Sequence, residues 1–220
     1  MIAVLKEPCV TWRRCTLLSL FLSLMVVVPF SGKALHIDDP AYIELADQIL
    51  TDPLRPYSFQ IDWTLKPMHA FEDYNNPPLY CYWLAMVMPV FGRTEVGLHM
   101  AMLPFTMMAV GGMLWLCCRF LKQPLTPALM LVCCPAFIPS HNVMLDVPML
   151  GLFLAGMALF IGGVDADNRA RLGWGALLLG LAILTKYSAL AALPLMVAYP
   201  ILRTKPRALM SLLIPVVVVL

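Results

Sequence analysis

The sequence predicts an all-α membrane protein, a helical bundle that crosses the bilayer several times, and three observations predict it. Of 220 residues, 61% are hydrophobic and 13% charged, against roughly 45–50% and about 25% in a soluble domain. The apolar residues gather into long runs divided by short charged junctions, and about 20 such residues in a helix span a hydrocarbon core of about 30 Å. The net charge is only +2, with no polybasic block, so nothing in the charge pattern asks for a nucleic-acid partner.

The elements follow in order. Lys6, Arg13 and Arg14 precede the apolar stretch from Cys15 to Phe30, and Ser31-Gly32-Lys33-Ala34 follows it. This is either a secretory signal with a small-residue cleavage site or a first span whose basic end stays in the cytoplasm. Both place residue 35 outside. Residues 33 to 76 then hold eight of the thirteen acids: Asp38, Asp39, Glu44, Asp47, Asp52, Asp62, Glu72 and Asp73. Tyr57, Phe59, Trp63, Phe71 and Tyr74 are spread among them, which gives the segment enough apolar surface to order itself. Tyr42, Leu45, Ala46, Ile49 and Leu50 fall at helical spacing, predicting a short amphipathic helix over 40–50 at the membrane surface.

Further spans are expected at 95–118, 124–140, 147–163, 172–186 and 188–202, with an unfinished run from 208 to the end. The chain is then one transmembrane domain. It comprises a first span within 1–32, an outer loop with interfacial helices over 33–94, and a bundle over 95–220 that stops inside a crossing. Pro77 to Phe91 is short for a span. If it stays on one side, ten basic residues fall inside (Lys6, Arg13, Arg14, Arg119, Lys122, Arg169, Arg171, Arg203, Lys205 and Arg207) and five outside (Lys33, Arg55, Lys66, Arg93 and Lys186). If it crosses, the counts reverse, against the usual bias toward basic cytoplasmic loops. It is therefore taken as an interfacial or re-entrant helix.

The remaining composition narrows the chemistry. Seven cysteines without a Cys-x-x-Cys spacing predict neither a disulfide framework nor a sulfur metal site, and Cys117, Cys118, Cys133 and Cys134 suit packing in apolar runs. Four scattered histidines make no metal signature. No metal or cofactor is expected. Asp165, Asp167, Arg169 and Arg171 look like a solvated inner loop.

Three charged clusters share the outer side in this topology. In His36-Ile37-Asp38-Asp39-Pro40, Asp39 precedes a proline as a helix cap would, which leaves Asp38 free to take a proton from a hydroxyl nucleophile. In Asn75-Asn76-Pro77-Pro78, two amides lead into a helix start where phosphate or sugar oxygens can bind. A turn plus helix start explains the same residues. In His141-Asn142-Val143-Met144-Leu145-Asp146, one acid stands in an apolar turn, where it costs more than in a wet loop. Lys186, followed by Tyr187, lies on the side where basic residues are disfavoured and suits a phosphate ligand. It equally suits snorkelling from a helix end.

Taken together, Asp38-Asp39-x-x-Tyr42 after a first span, Asn76-Pro77-Pro78-Leu79 with Tyr82-Trp83, Leu145-Asp146-Val147-Pro148-Met149 and Leu184-Thr185-Lys186 resemble the polyprenyl-phosphate-sugar transferases of the GT-C fold. The likeness is to glycosyltransferase family 39, the protein O-mannosyltransferase and aminoarabinose transferase group, and covers residues 15 to about 200. That resemblance implies a GT-C bundle and an inverting transfer of a sugar from a polyprenyl-phosphate donor to a hydroxyl of a protein, lipid or glycan, on the periplasmic, extracellular or luminal face. It makes Asp38, Asp39 and Asp146 the catalytic acids and puts Lys186 near the donor phosphate, with Asn75, Asn76, His141 and Tyr187 as further substrate contacts. The group often carries Asp-Glu at the Asp38-Asp39 position and a charged residue before Pro-Pro, and its members usually continue through more spans. An inactive truncated form of such a transferase is one alternative. A multi-span transporter or lipid carrier is another, and it predicts inverted repeats that the two halves do not display.

Overall fold

The computed structural model describes residues 12–36, 38–62, 66–138 and 141–220. Lys6 and Trp63, used in the sequence argument, lie outside the described residues. Among the described residues the regular structure is helical except for one two-stranded antiparallel pair, β1 (Gln60–Ile61) with β2 (Met68–His69), in which Gln60 faces His69.

Among the described residues, three helical segments are long and apolar enough to cross a membrane: Arg13–Phe30, Glu95–Phe120 and Asp146–Ala166. The first lies in α1 (Trp12–Phe30) and the third is α8 (Asp146–Ala166). The second is α5 (Glu95–Met100) running into α6 (Leu103–Phe120), with the break falling just before Pro104. A proline in the first turn of a helix sacrifices no hydrogen bond. Beside them stand α9 (Arg169–Thr185), a 3₁₀ turn Tyr187–Ala191 leading into α10 (Ala192–Leu202), and a 3₁₀ turn Pro206–Leu212 leading into α11 (Leu213–Val219).

The crossing expected at 124–140 is not a continuous helix. α7 ends after eight residues, Leu125–Val132, a rise of about 12 Å, and the chain continues through turns. Pro135 explains the stop, since it has no N–H to donate and disfavours helical geometry at Cys134 before it. The chain still returns from the Arg119 end of the bundle to the Asp146 end. Ala128 and Val132 pack with Leu22, Val26, Val110 and Leu114 as they climb.

Between spans the apolar surroundings offer no hydrophobic drive, so close backbone approach must hold helices together. Glycines supply it. A Cβ on Gly112 of α6 would lie 2.5 Å from the Leu154 carbonyl carbon of α8, and one on Gly175 of α9 would lie 2.5 Å from the Phe160 nitrogen of α8.

Of the residues expected in a solvated inner loop, Asp167, Arg169 and Arg171 are exposed, but Asp165 is not. The Asp165 side chain is only 10% exposed and is paired with Arg119 on α6 and Arg203 after α10, the latter at 2.9 Å. The Tyr199 hydroxyl donates to it at 2.9 Å and Lys205 donates to its carbonyl at 3.1 Å. One carboxylate thus joins the ends of three helices, and Asp167 takes its own partner in Lys205. Replacing Asp165 by Asn keeps the shape but leaves two guanidinium groups without a counter-charge. The expected loss is about 2 kcal/mol of stability, read as a lower thermal midpoint in detergent.

The opposite end of the bundle is where the loop 33–94 folds down. Its α2 (Asp39–Thr51) lies on α4 (Leu79–Phe91), burying Ala41, Leu45, Ala46 and Ile49 against Tyr80, Cys81, Leu84, Ala85 and Met88. The expected apolar stripe is present, apart from Leu50, which is 47% exposed. α4 keeps to the predicted 77–91 and, at 13 residues, is about 20 Å long, too short for a full crossing. Arg93 after α4 pairs with Asp47 on α2. Tyr74 donates to the Ala41 carbonyl, and α3 (Ala70–Asp73) leads into it.

Candidate functional site

The Asp146 end of the bundle gathers most of the predicted site residues. α8 begins at Asp146, and α9, running antiparallel to α8, ends at Thr185 immediately before Lys186. Lys186 Nζ donates to Asp146 Oδ1 at 2.7 Å, with the two side chains 31% and 43% exposed. The cap position of α8 is Leu145, whose side chain has no polar atom to cap with, and Asp146 is the first residue of the helix, its carboxylate accepting from Lys186.

Asp38 arrives from the other direction. It is the residue before α2, and its side chain makes no capping bond, contrary to the expectation that Asp39 holds the cap. Helix initiation is served instead by the Asp38 carbonyl, which accepts from the Tyr42 amide at 3.2 Å. Burial raises the Tyr42 phenol above the ordinary 10.0, and the carboxylates of Asp38, Asp146 and Asp39 act on it in the same direction.

Asp39 is fully buried and cannot touch a ligand there, which removes it from the catalytic acids. Its Oδ2 accepts the His36 amide at 3.0 Å. Burial pushes its carboxyl above the ordinary 3.8, opposed by the His36 and Val143 amides and the His36 and His99 rings. A carboxyl whose folded value lies above its unfolded one stabilises the fold below the unfolded value and loses that contribution as pH rises through the folded value. The thermal midpoint of the protein is therefore expected to fall relative to Asp39→Asn as pH is raised from about 3.8, measured by paired melts across that range.

His141 is not a surface ligand either. It is 3% exposed, with Nδ1 at 2.8 Å from the Phe137 carbonyl and Nε2 at 3.0 Å from Thr106 Oγ1. Burial lowers its imidazole below the ordinary 6.5, favouring the neutral ring. In that form Nδ1–H donates to Phe137, which can only accept, and Nε2 faces the Thr106 hydroxyl, whose single hydrogen also has the Met102 carbonyl within reach at 3.1 Å. His141 fastens the 141–145 turn to α6.

Its neighbour Asn142, also 3% exposed, makes longer-range contacts. Asn142 Oδ1 accepts from Lys33 Nζ, and Nδ2 lies 3.5 Å from His36 Nδ1. This joins the exit of α1 to the entry of α8. The sequence offered no periodicity or spacing that singles out this contact. Asn75 is exposed and Asn76 half-buried. The Asn76 carbonyl accepts from the Tyr57 hydroxyl at 2.9 Å, and Tyr187, 52% exposed, acts electrostatically on Tyr57. Among the described residues no three His, Cys, Asp or Glu side chains come together as a metal cage.

The resulting surface carries acids, an ammonium and exposed aromatic and amide groups at one end of an apolar bundle. No protein-family model matches the chain, and no solved structure matches it.

Proposed function

We propose that this chain is a membrane glycosyltransferase of the GT-C kind, moving a sugar from a polyprenyl-phosphate donor to an acceptor hydroxyl with inversion, on the face opposite the cytoplasm. The observation that carries the reading is the Lys186–Asp146 pair at 2.7 Å, at the end of the bundle where Asp38 precedes α2. An ion pair this exposed is worth about 0–1 kcal/mol, so an incoming phosphate can take the ammonium from Asp146 at little cost. Lys186 then faces the charge that grows on the leaving phosphate. Asp38, unoccupied by capping, draws the proton from the acceptor hydroxyl as that oxygen attacks the anomeric carbon and the bond to the phosphate oxygen breaks. Asp146 holds the ammonium in place before the donor arrives and faces the sugar ring afterward. Tyr187 and the Asn75-Asn76 loop supply a stacking face and amides for sugar hydroxyls.

The charge distribution supports the orientation. Arg119, Arg203 and Lys205 meet at the Asp165 end, which suits the cytoplasmic side by the excess of basic residues found there. The site then opens toward the periplasm, lumen or exterior. Membranes containing the protein, given radiolabelled polyprenyl-phosphate sugar and a hydroxyl acceptor, are expected to consume the donor, and to do so equally in chelator. A transporter or lipid carrier would leave the donor intact.

A further inference from the structure

α6 and α8 leave a groove of about 360 Å³ between them, lined by Gly111 and Trp115 of α6, Ala155, Ala158 and Gly162 of α8, and Arg171 at the start of α9. Apart from the indole nitrogen and the guanidinium, its lining side chains offer only apolar surface. The 21 residues of α8 rise about 31 Å, the depth of a hydrocarbon core of about 30 Å. Ala155 stands near the middle of that helix and Gly162 one turn from its Asp165 end. The groove therefore runs about 10 Å from mid-span toward one surface, within a single leaflet's share of about 15 Å. A fatty acyl chain lies along the same line.

The surface end of the groove carries a free cation. A Cβ on Gly162 would lie 3.1 Å from the Trp115 ring and 3.9 Å from Arg171 Nη1, which puts the guanidinium at the groove's mouth. Nearby, Arg119 and Arg203 hold Asp165, and Lys205 holds Asp167. Among the described residues Arg171 takes part in no ion pair; its backbone amide donates to Asn168 Oδ1 at 3.0 Å. Arg13 and Arg14 are exposed at the start of α1, which packs on the same stretch of α6, since a Cβ on Gly111 would lie 3.2 Å from Ser19 Oγ. The positive charge at this end calls for an anion, and a guanidinium fork matches a phosphate. A second copy packed side by side would bring Asp165 and Asp167 to this level, and both are already paired.

We propose that the groove holds one acyl chain of an anionic phospholipid, its hydrocarbon against Trp115 and the small residues of α8 and its phosphate on Arg171. The lipid then seals the seam between α6 and α8 where small residues leave it open. The proposal rests on these helices crossing the membrane. It is independent of the sugar-transfer chemistry, because the Lys186 site lies at the opposite end of α8.

The test places the complete chain in nanodiscs of equal phosphatidylglycerol and phosphatidylcholine, with no sugar donor, then moves it to detergent, washes it and identifies the retained phospholipid by native mass spectrometry. One phospholipid per chain is expected, with phosphatidylglycerol favoured about fivefold, the advantage of one cation at a charged headgroup. Arg171→Gln, at an exposed position, is expected to bring the ratio of the two lipids close to one. Ala155→Phe, which fills the groove at mid-span, is expected to abolish retention of either. No retained lipid on a chain that inserts, equal retention of the two lipids, a ratio unmoved by Arg171→Gln, or a dimer in place of the lipid adduct overturns the proposal. Should Ala155→Phe fail to fold, the lipid ratio in Arg171→Gln decides alone. A chain that does not enter the nanodisc at all overturns the membrane-spanning reading together with the lipid site, whereas absent sugar transfer bears on Asp38 and Lys186 only.

Discussion

Asp38→Asn is expected to lower sugar transfer by about 10²–10⁴-fold, the range spanned by a positioned general base, while the protein inserts in the membrane and melts as before. The amide is the same size and cannot take a proton. No fold contact is lost, because the Asp38 carboxylate makes no capping bond and the start of α2 is held by the Asp38 carbonyl. Counting radiolabel moved from lipid to acceptor in membranes with matched protein levels checks it. Turnover within a few-fold of the parent protein would remove Asp38 from the base role.

Lys186→Met is expected to cost about 10²–10³-fold in turnover, comparable to deleting one donor that stabilises charge in a transition state. It is expected to weaken donor binding as well. Methionine keeps much of the aliphatic stem, so packing at the end of α9 survives. It also leaves Asp146, at 43% exposure, in reach of water, so little stability is lost. Lys186→Arg, which preserves charge but replaces a compact ammonium with a planar fork, is expected to fall between the two. An effect confined to stability would make Lys186 a snorkelling residue at a helix end.

How far the sequence carried can be seen in particular segments. Apolar runs bounded by charges located α1, α6, α8 and α9 to within a few residues, because a helix in lipid must satisfy its own backbone and so follows its apolar length. The amphipathic spacing of Leu45, Ala46 and Ile49 located α2 for the same kind of reason. The run 124–140 misled because hydropathy averages over Pro135, whereas the backbone responds to each missing N–H. Asp165 misled in the opposite way. Its local neighbours are polar, but its partners Arg119, Tyr199 and Arg203 lie 34 to 46 residues away in the chain, and no local pattern encodes them.

The site shows the same division. Asp146 and Lys186, 40 residues apart, were singled out one by one because an ionisable group near an apolar run is costly, and the fold then makes them partners. Asp39 and His141 were singled out by the same logic, yet both are buried. Residue type and setting mark a group as unusual without saying whether it faces outward. Asn142 escaped notice because a neutral amide in a turn is unremarkable until Lys33 is seen beside it.

The most direct measurement is equilibrium binding of radiolabelled polyprenyl-phosphate sugar to the protein in nanodiscs, comparing the parent chain with Asp38→Asn and Lys186→Met. If Lys186 holds the phosphate and Asp38 acts only on the acceptor, Asp38→Asn binds donor as tightly as the parent without consuming it, and Lys186→Met binds it about tenfold or more weakly, the loss of one charge-assisted contact. Donor binding that is absent in the parent, or identical in all three, contradicts the account.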